Sequence, residues 1–381
     1  MTEAPPPVAV YLHWPYCARI CPYCDFNVVR DRGRTEEQAG LVAAMHADLR
    51  AQAALLGPRR LVSIFFGGGT PSLMPPEAAG RLIETARALF PTTTPVEVTL
   101  EANPTDAETA RYRAFAEAGV NRLSLGVQSL DDAALRFLGR DHDAESARRA
   151  IEAAQAAFGR VSIDLIYARP GQTAEAWRAE LAEAIALGPE HVSPYQLTIE
   201  PETAFGRAHR RGTLIPPPED DQESLYDVTQ EVLEGAGLPA YEISNHARGL
   251  AARSAHNLAV WRGVEYLGVG PGAHGRLNLQ GARTATAAHR RIADYVAAVT
   301  TTGVGFAETE PLTPLAAAEE RLMLGLRTVE GTALPALAPL DLSSRIAPLI
   351  EDGFLTMADS RLAATPRGRK VLDGVVRALL V

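Results

Sequence analysis

The first 200 residues alternate short apolar runs with amphipathic stretches, and this alternation limits the folds open to the chain. Strands are expected at 8–14 (VAVYLHW), 60–68 (RLVSIFFGG), 95–103 (PVEVTLEAN), 122–129 (RLSLGVQS), 160–167 (RVSIDLIY) and 191–199 (HVSPYQLTI). Helical periodicity lies between them at 36–56, 75–90, 106–118, 131–138, 144–157 and 173–187. Apolar runs joined by compact helical crossovers call for parallel β/α units. Six such units close into a barrel or stay open as a partial one, and in both cases chemistry belongs at the C-terminal ends of the strands.

Past residue 205 the pattern changes. GTLIPPPEDDQE at 212–223 is a Pro- and acid-rich loop before a helix at about 219–236, and HNLAVWRGVEYLGVGPGAHGR at 256–276 is rich in Gly and aromatics. From about 311 come helices, a short hairpin and a last helix, an order that resembles a winged helix. The expected organisation is an α/β core barrel at 1–205, an α+β extension at 206–308 and a C-terminal winged-helix-like domain at 309–381. The helix at 343–352 carries Arg345 beside Glu351 and Asp352, and the net charge is −9. Neither fits the basic footprint that nucleic acid requires. No apolar run reaches the roughly 18–20 residues of a membrane span, and MTEAPPPVAVYLHWP lacks the pattern of a secretory signal. A cytoplasmic protein with reduced thiols is expected.

All three cysteines, Cys17, Cys21 and Cys24, fall within eight positions directly after the first strand. A disulfide leaves one thiol over. A structural zinc closes with four ligands. A [4Fe–4S] cluster accepts thiolates, and three of them leave one iron open to another ligand. Spacing alone leaves a cluster, a zinc site and an unrelated structural role open. Further chemistry-bearing residues recur where strands end: Gly68, Gly69 and Thr70 in GGGTPS, Glu101 in EANP, Gln128 in GVQS, Arg140 in GRDH and Asp164 in SIDLIY. Each alone suits a cap or a packed polar group. Their ordered recurrence points to a site.

C-x3-C-x2-C with an aromatic before the last cysteine resembles the signature of the radical S-adenosylmethionine (SAM) superfamily. The series YLHWPYC…CPYCDF, GGGTPS, EANP, GVQS, GRDH and IDLIY…PGQT resembles, over nearly the whole chain, the oxygen-independent coproporphyrinogen III dehydrogenase (HemN) group. The resemblance implies a partial (β/α)6 barrel of radical SAM type. It implies a [4Fe–4S] cluster on Cys17, Cys21 and Cys24, and SAM contacts from Tyr11, Tyr23, Gly68, Gly69, Thr70, Glu101, Gln128, Arg140 and Asp164.

Two branches of that group are distinguishable. The dehydrogenase branch carries several tens of residues before its first cluster cysteine; here 16 precede Cys17. The HemW-type heme chaperones are short at this end and carry an HNxxYW motif. HNLAVW supplies His256, Asn257 and Trp261, with Val260 where the motif has Tyr. The chaperone branch implies a protein that binds cluster, SAM and heme and passes heme to an acceptor, a respiratory membrane enzyme. An electron donor and transient membrane association are implied with it. Oxidative decarboxylation of coproporphyrinogen III is the alternative. A heme iron takes His, Cys, Met or Tyr, and His246, His256 and His274 lie in the middle segment. A His followed by Asn in a loop serves either a hydrogen bond or a heme; His256, with Asn257 and Trp261, is selected by the motif. Arg253, Arg262 and Arg276 stand nearby and suit propionates. YARPGQT departs from the group's usual YGLPGQT at Ala168 and Arg169, which either shifts the loop or brings a cation toward an anionic ligand.

Overall fold

The computed structural model describes residues 4–381; the first three residues of the N-terminal stretch lie outside them. The six expected strands form as β1 (Pro7–Trp14), β2 (Arg60–Gly68), β3 (Glu97–Ala102), β4 (Arg122–Gln128), β5 (Val161–Tyr167) and β6 (His191–Gln196). Between them lie α1 (Thr35–Leu56), α2 (Pro76–Leu89), α3 (Tyr112–Glu117), α4 (Asp132–Phe137), α5 (Ala144–Ala157) and α6 (Ala174–Ala186). The stretch expected to form one helix at 106–118 divides into a short turn of helix at Asp106–Thr109 and α3. Three helices start where the sequence offers a cap. Asp131, Asp143 and Thr173 accept the backbone N–H of Ala134, Ser146 and Ala176 at the heads of α4, α5 and α6.

The strands pair in parallel in chain order, β1 to β6. In β3, β4 and β5 apolar residues (Val98, Leu100, Leu123, Leu125, Ile163, Leu165) alternate with polar ones (Thr99, Glu101, Arg122, Ser124, Ser162, Asp164), so one face of each strand is apolar and the other is polar. The sheet does not close. On the outer edge of β6 it takes the short antiparallel strands β7 (Ala240–Glu242) and β8 (Asn245–Ala247), which pair no further along β6 than Val192. Pro194 in β6 has no N–H to offer beyond that point. On the other side, β9 (Glu265–Val269) lies parallel to β1, with Val8 opposite Glu265 and Leu12 opposite Val269. Antiparallel β10 (His274–Leu279), β11 (Ala282–Ala288) and β12 (Phe306–Pro311) complete the twelve-stranded sheet.

The segment at 206–308 therefore has no sheet of its own. It also shares the barrel's core. Leu225 and Leu233 of α7 (Glu219–Gly235), Leu267 and Val269 of β9, and Tyr295 and Val299 of α8 (Ile292–Thr302) pack in one continuous cluster with Leu12, Phe66, Leu100 and Ile163. Tyr295 is fully buried; its hydroxyl donates to Asp48 Oδ2 (2.7 Å) and accepts from the Gly270 N–H (3.0 Å), fastening α8 to α1 and to the loop after β9.

From α9 (Pro314–Leu326) onward a second core forms from Leu322, Leu326, Leu337, Leu355, Leu362 and Leu379. Helices here flank a three-stranded sheet ordered Thr332–Ala333, Arg361–Ala364, Leu355–Ala358. Ion pairs join it to the larger body: Glu320 with Arg276 (2.5 Å) and Arg283 (2.7 Å), and Lys370 with Asp227 (2.7 Å). Among the described residues, no helix is long and apolar enough to cross a membrane.

Candidate cofactor cavity

After β1 the chain turns at Pro15 into a two-residue strand, Tyr16–Cys17, that pairs with Val29–Arg30. This pairing pinches off residues 18–28 as a loop with fixed ends: the Val29 N–H donates to Pro15 O and the Asp31 N–H to Cys17 O, both at 2.8 Å. The body of the loop is held as well. The Asn27 amide donates to Pro271 O (2.9 Å) and Arg290 O (2.8 Å), and the Phe205 N–H to Pro22 O (2.9 Å). Gly139, at φ +69°, lies so close that a Cβ there would stand 2.6 Å from Pro22 Cδ. The three thiols line one wall of a cavity of about 570 Å3 at the C-terminal ends of the barrel strands.

The glycine turn is threaded onto this loop. Gly69 N–H donates to Trp14 O (2.7 Å) and Thr70 N–H to Tyr16 O (2.8 Å). Gly68 has φ +106°, a region closed to side chains, and a Cβ there would meet the His13 ring at 2.6 Å. The Thr70 hydroxyl accepts from the Asn103 amide (3.2 Å). GGGTPS is thus fixed by backbone hydrogen bonds to Trp14 and Tyr16 and by the side chains of Thr70 and Ser72, which bond Asn103 and Glu108.

The expected polar positions converge on the same cavity. Tyr23, Gly68, Gly69, Thr70, Glu101, Gln128, Arg140 and Asp164 all line it, and so does Asn257. Gln128 reaches it through a break in the β4–β5 register between Leu125 and Gln128, and adopts φ +66°. Such irregularities at strand ends re-aim side chains. Arg140 donates to Cys21 Sγ (3.2 Å), to Gly126 O (3.0 Å) and to Asn103 Oδ1, while its Nε has no partner among the described residues. Burial works against its charge, but Tyr23 and Cys21 outweigh that and hold the guanidinium above its ordinary range. Burial, and then the charge of Asp164, push Glu101 up to about 8. Burial raises Asp164 too, against hydrogen bonds from the Ser124 and Ser162 hydroxyls at 2.9 and 3.0 Å. Two carboxyls of elevated pKa at the cavity floor suit a ligand carrying positive charge or several hydroxyl donors.

Three expected residues lie elsewhere. Tyr11 is not on this wall; its hydroxyl bonds His13 Nδ1 (3.1 Å) and its ring stacks on Phe65 at 6.2 Å. HNLAVW is not a loop but a short helix spanning Ala255–Trp261 and capped by Ser254. Glu97 accepts the Ala255 and His256 N–H groups at 3.0 Å and so fixes its entry. Inside this helix His256 is only 6% exposed, bonds Ser63 Oγ (3.0 Å) and stacks on Phe65 (4.9 Å). Trp261 lies under the Arg327 guanidinium (4.8 Å). His256, Asn257 and Trp261 therefore do not share a cavity. Nor are the neighbouring arginines free: Arg253 and Arg262 pair with Glu330 (3.6 and 2.6 Å), and Arg276 pairs with Glu320. His246 is buried on Leu238 O (3.1 Å). Arg169 does not face the cavity either; it is locked to Glu180 (2.5 Å) and Ser129 (2.6 Å). Ala168, in place of the usual Gly, adopts φ +59°.

Sequence reasoning missed Asn103, Arg122 and Tyr195, which also line the cavity. Arg122 is buried beneath Glu101 and Asp164 and offsets both. As the first residue of β4 it reads as a surface cation in sequence. The three cysteine thiols line one cavity and the chain has no fourth cysteine, which suits a cluster that keeps one iron open rather than a closed four-thiolate zinc site. Burial pushes the thiols of Cys17 and Cys24 up to about 12 and about 11, so they ionise only against a local positive charge such as iron supplies. The residues present fit a cluster.

Comparison with known proteins agrees with this geometry. The radical SAM superfamily profile matches residues 11–184 and the HemN C-terminal domain profile residues 312–371. The mouse protein "Radical S-adenosyl methionine domain-containing protein 1, mitochondrial" is 39% identical over 98% of this chain and 87% of its own length. "Heme chaperone HemW" of Bacillus subtilis is 32% identical over 98% of this chain and 99% of its own length. Among solved structures, coproporphyrinogen III oxidase (HemN) from Escherichia coli superposes with a TM-score of 0.81 over 99% of this chain and 91% of that one, at 21% identity, a likeness of fold.

Proposed function

Because the chain belongs to the HemW group of the radical SAM superfamily, we propose that it is a heme chaperone: it holds a [4Fe–4S] cluster, SAM and one heme, and delivers the heme to an acceptor protein. The observation that carries this is the single cavity uniting three thiols with the glycine turn and the polar side chains of Glu101, Gln128, Arg140 and Asp164. Cys17, Cys21 and Cys24 ligate three irons of the cluster. Tyr23, Gly68, Gly69, Thr70, Glu101, Gln128, Arg140 and Asp164 bind SAM. The cluster, when reduced by an electron donor, supplies the electron that radical SAM chemistry requires.

The rest is the work of the chain. Arg140 places a fixed positive charge 3.2 Å from Cys21 Sγ. Glu101 and Asp164, backed by Arg122, accept hydrogen bonds from the amine and hydroxyls of SAM. Tyr11 stacks on Phe65, which lines the cavity, and so supports that wall from behind. The acceptor is a respiratory enzyme, met in the cytoplasm at the membrane surface, so membrane association is transient.

Heme titration of anaerobically reconstituted protein tests the reading. A saturable Soret band with transfer to an apo-acceptor, and no protoporphyrinogen from coproporphyrinogen III, is expected. No heme binding, or turnover of coproporphyrinogen, contradicts it.

A further inference from the structure

A second cavity, of about 760 Å3, opens on the other side of the cysteine loop. It lies within the range of small-molecule sites. Asp25 and Phe26 of that loop line both cavities. Its other walls come from β1, from the helix Ala255–Trp261, and from the strands that extend the sheet beyond β9.

Two observations single it out. The first concerns histidine. Of the nine in the chain, seven hold a ring nitrogen in a hydrogen bond, His256 to Ser63 and His13 to Asn27 among them. For His274 and His289 no ring hydrogen bond is found among the described residues, and both line this cavity. His274 is exposed at the start of β10, opposite Ala287 of β11, and His289 follows two residues after Ala287. An imidazole without a partner is free to ligate a metal.

The second concerns the HNxxYW-like helix. His256 and Val260, four residues apart on one helix face, both line this cavity, and the Tyr11 and Tyr266 rings stand with them. The segment that separates the chaperone branch from the dehydrogenases thus faces the second cavity. Val260, where the motif has Tyr, leaves room there. Arg290 is the one Arg or Lys among the lining residues, and among the described residues its guanidinium makes one hydrogen bond, a long one of 3.5 Å to Asn27 Oδ1. Asp25 and Glu308 also line the cavity and repel a dianionic ligand, which leaves Arg290 to orient it.

Resting on the chaperone reading, we propose that this second cavity is the heme seat, with His274 and His289 ligating the iron, Arg290 pairing with a propionate, and His256 serving as a packed wall rather than an axial ligand. Hemin titrated into the full chain, read by Soret absorbance and electron paramagnetic resonance, tests it. Wild type gives the spectrum of histidine-ligated heme. The His274→Ala/His289→Ala variant loses that spectrum and weakens binding by at least about tenfold, added imidazole restores the spectrum, and the melting temperature is unchanged. Ala287→Trp, which fills the cavity without removing either imidazole, weakens binding as well. His256→Gln keeps the histidine-ligated spectrum. If the double variant binds hemin like wild type, or if His256→Gln alone abolishes the ligated spectrum in folded protein, the inference falls and the chaperone reading stands. If wild type binds no heme, both fall.

Discussion

Replacing Arg169 with leucine strands the carboxylate of Glu180 inside the protein. Arg169 is 7% and Glu180 8% exposed, and the guanidinium donates to both carboxylate oxygens, at 2.5 and 3.3 Å. Leucine leaves Glu180 with only neutral donors, the Leu130 N–H (2.9 Å), the Ser129 hydroxyl and the Gln172 amide (3.5 Å). Removing one partner of a buried ion pair costs about 3–5 kcal/mol. The three surviving hydrogen bonds place this case near the lower bound, about 3 kcal/mol. In a body of about 300 residues that lowers the melting temperature by roughly 5 °C. Arg169→Leu/Glu180→Gln removes the stranded charge yet keeps a carbonyl for Leu130 and Ser129, so it recovers to within about 1 kcal/mol of wild type. Calorimetry or urea unfolding of the wild type, both single variants and the double variant closes the cycle. A loss below about 1 kcal/mol in Arg169→Leu, or a double variant no better than it, refutes the reasoning.

Three further outcomes are expected. Gly139→Ala forces a Cβ against Pro22 and sits at φ +69°, so it displaces the cysteine loop; iron retained after anaerobic reconstitution falls while the far-ultraviolet circular dichroism holds. Tyr295→Phe leaves the Gly270 N–H without its acceptor and takes from Asp48 Oδ2 its hydroxyl donor, lowering unfolding free energy by about 2–3 kcal/mol in denaturant titration. Burial lowers His246 from 6.5 to about 4; between those values the unfolded chain takes a proton that the folded chain refuses, so wild type loses stability relative to His246→Gln as pH falls, by about 1.4 kcal/mol per pH unit, and a pH-independent difference contradicts this.

What was legible in the sequence depends on range. The six barrel strands emerge within two residues at most ends because their signal is local: apolar runs bounded by turns. β9 was not legible, since its parallel pairing with β1 links residues some 250 apart and leaves no local mark. The cavity residues were legible as an ordered series, but Arg122 was not, because a cation at the start of a strand reads as surface until neighbouring carboxyls are seen around it. The motif marks the segment of His256, but that its ring is buried with Nδ1 on Ser63 is seen only in the fold. The free imidazoles of His274 and His289 emerge only once the partners of the other seven are known. The role of Arg169 required the fold to bring it onto Glu180, eleven residues on.

Metal and sulfide analysis after anaerobic reconstitution tests the central claim most directly, with wild type beside a Cys17→Ala/Cys21→Ala/Cys24→Ala variant. Wild type is expected to hold about four iron and four sulfide per chain, with an electron paramagnetic resonance signal on reduction that changes when SAM is added. The triple variant is expected to hold none. Zinc in the wild type, or iron content that is indifferent to the loss of the three thiols, contradicts the account.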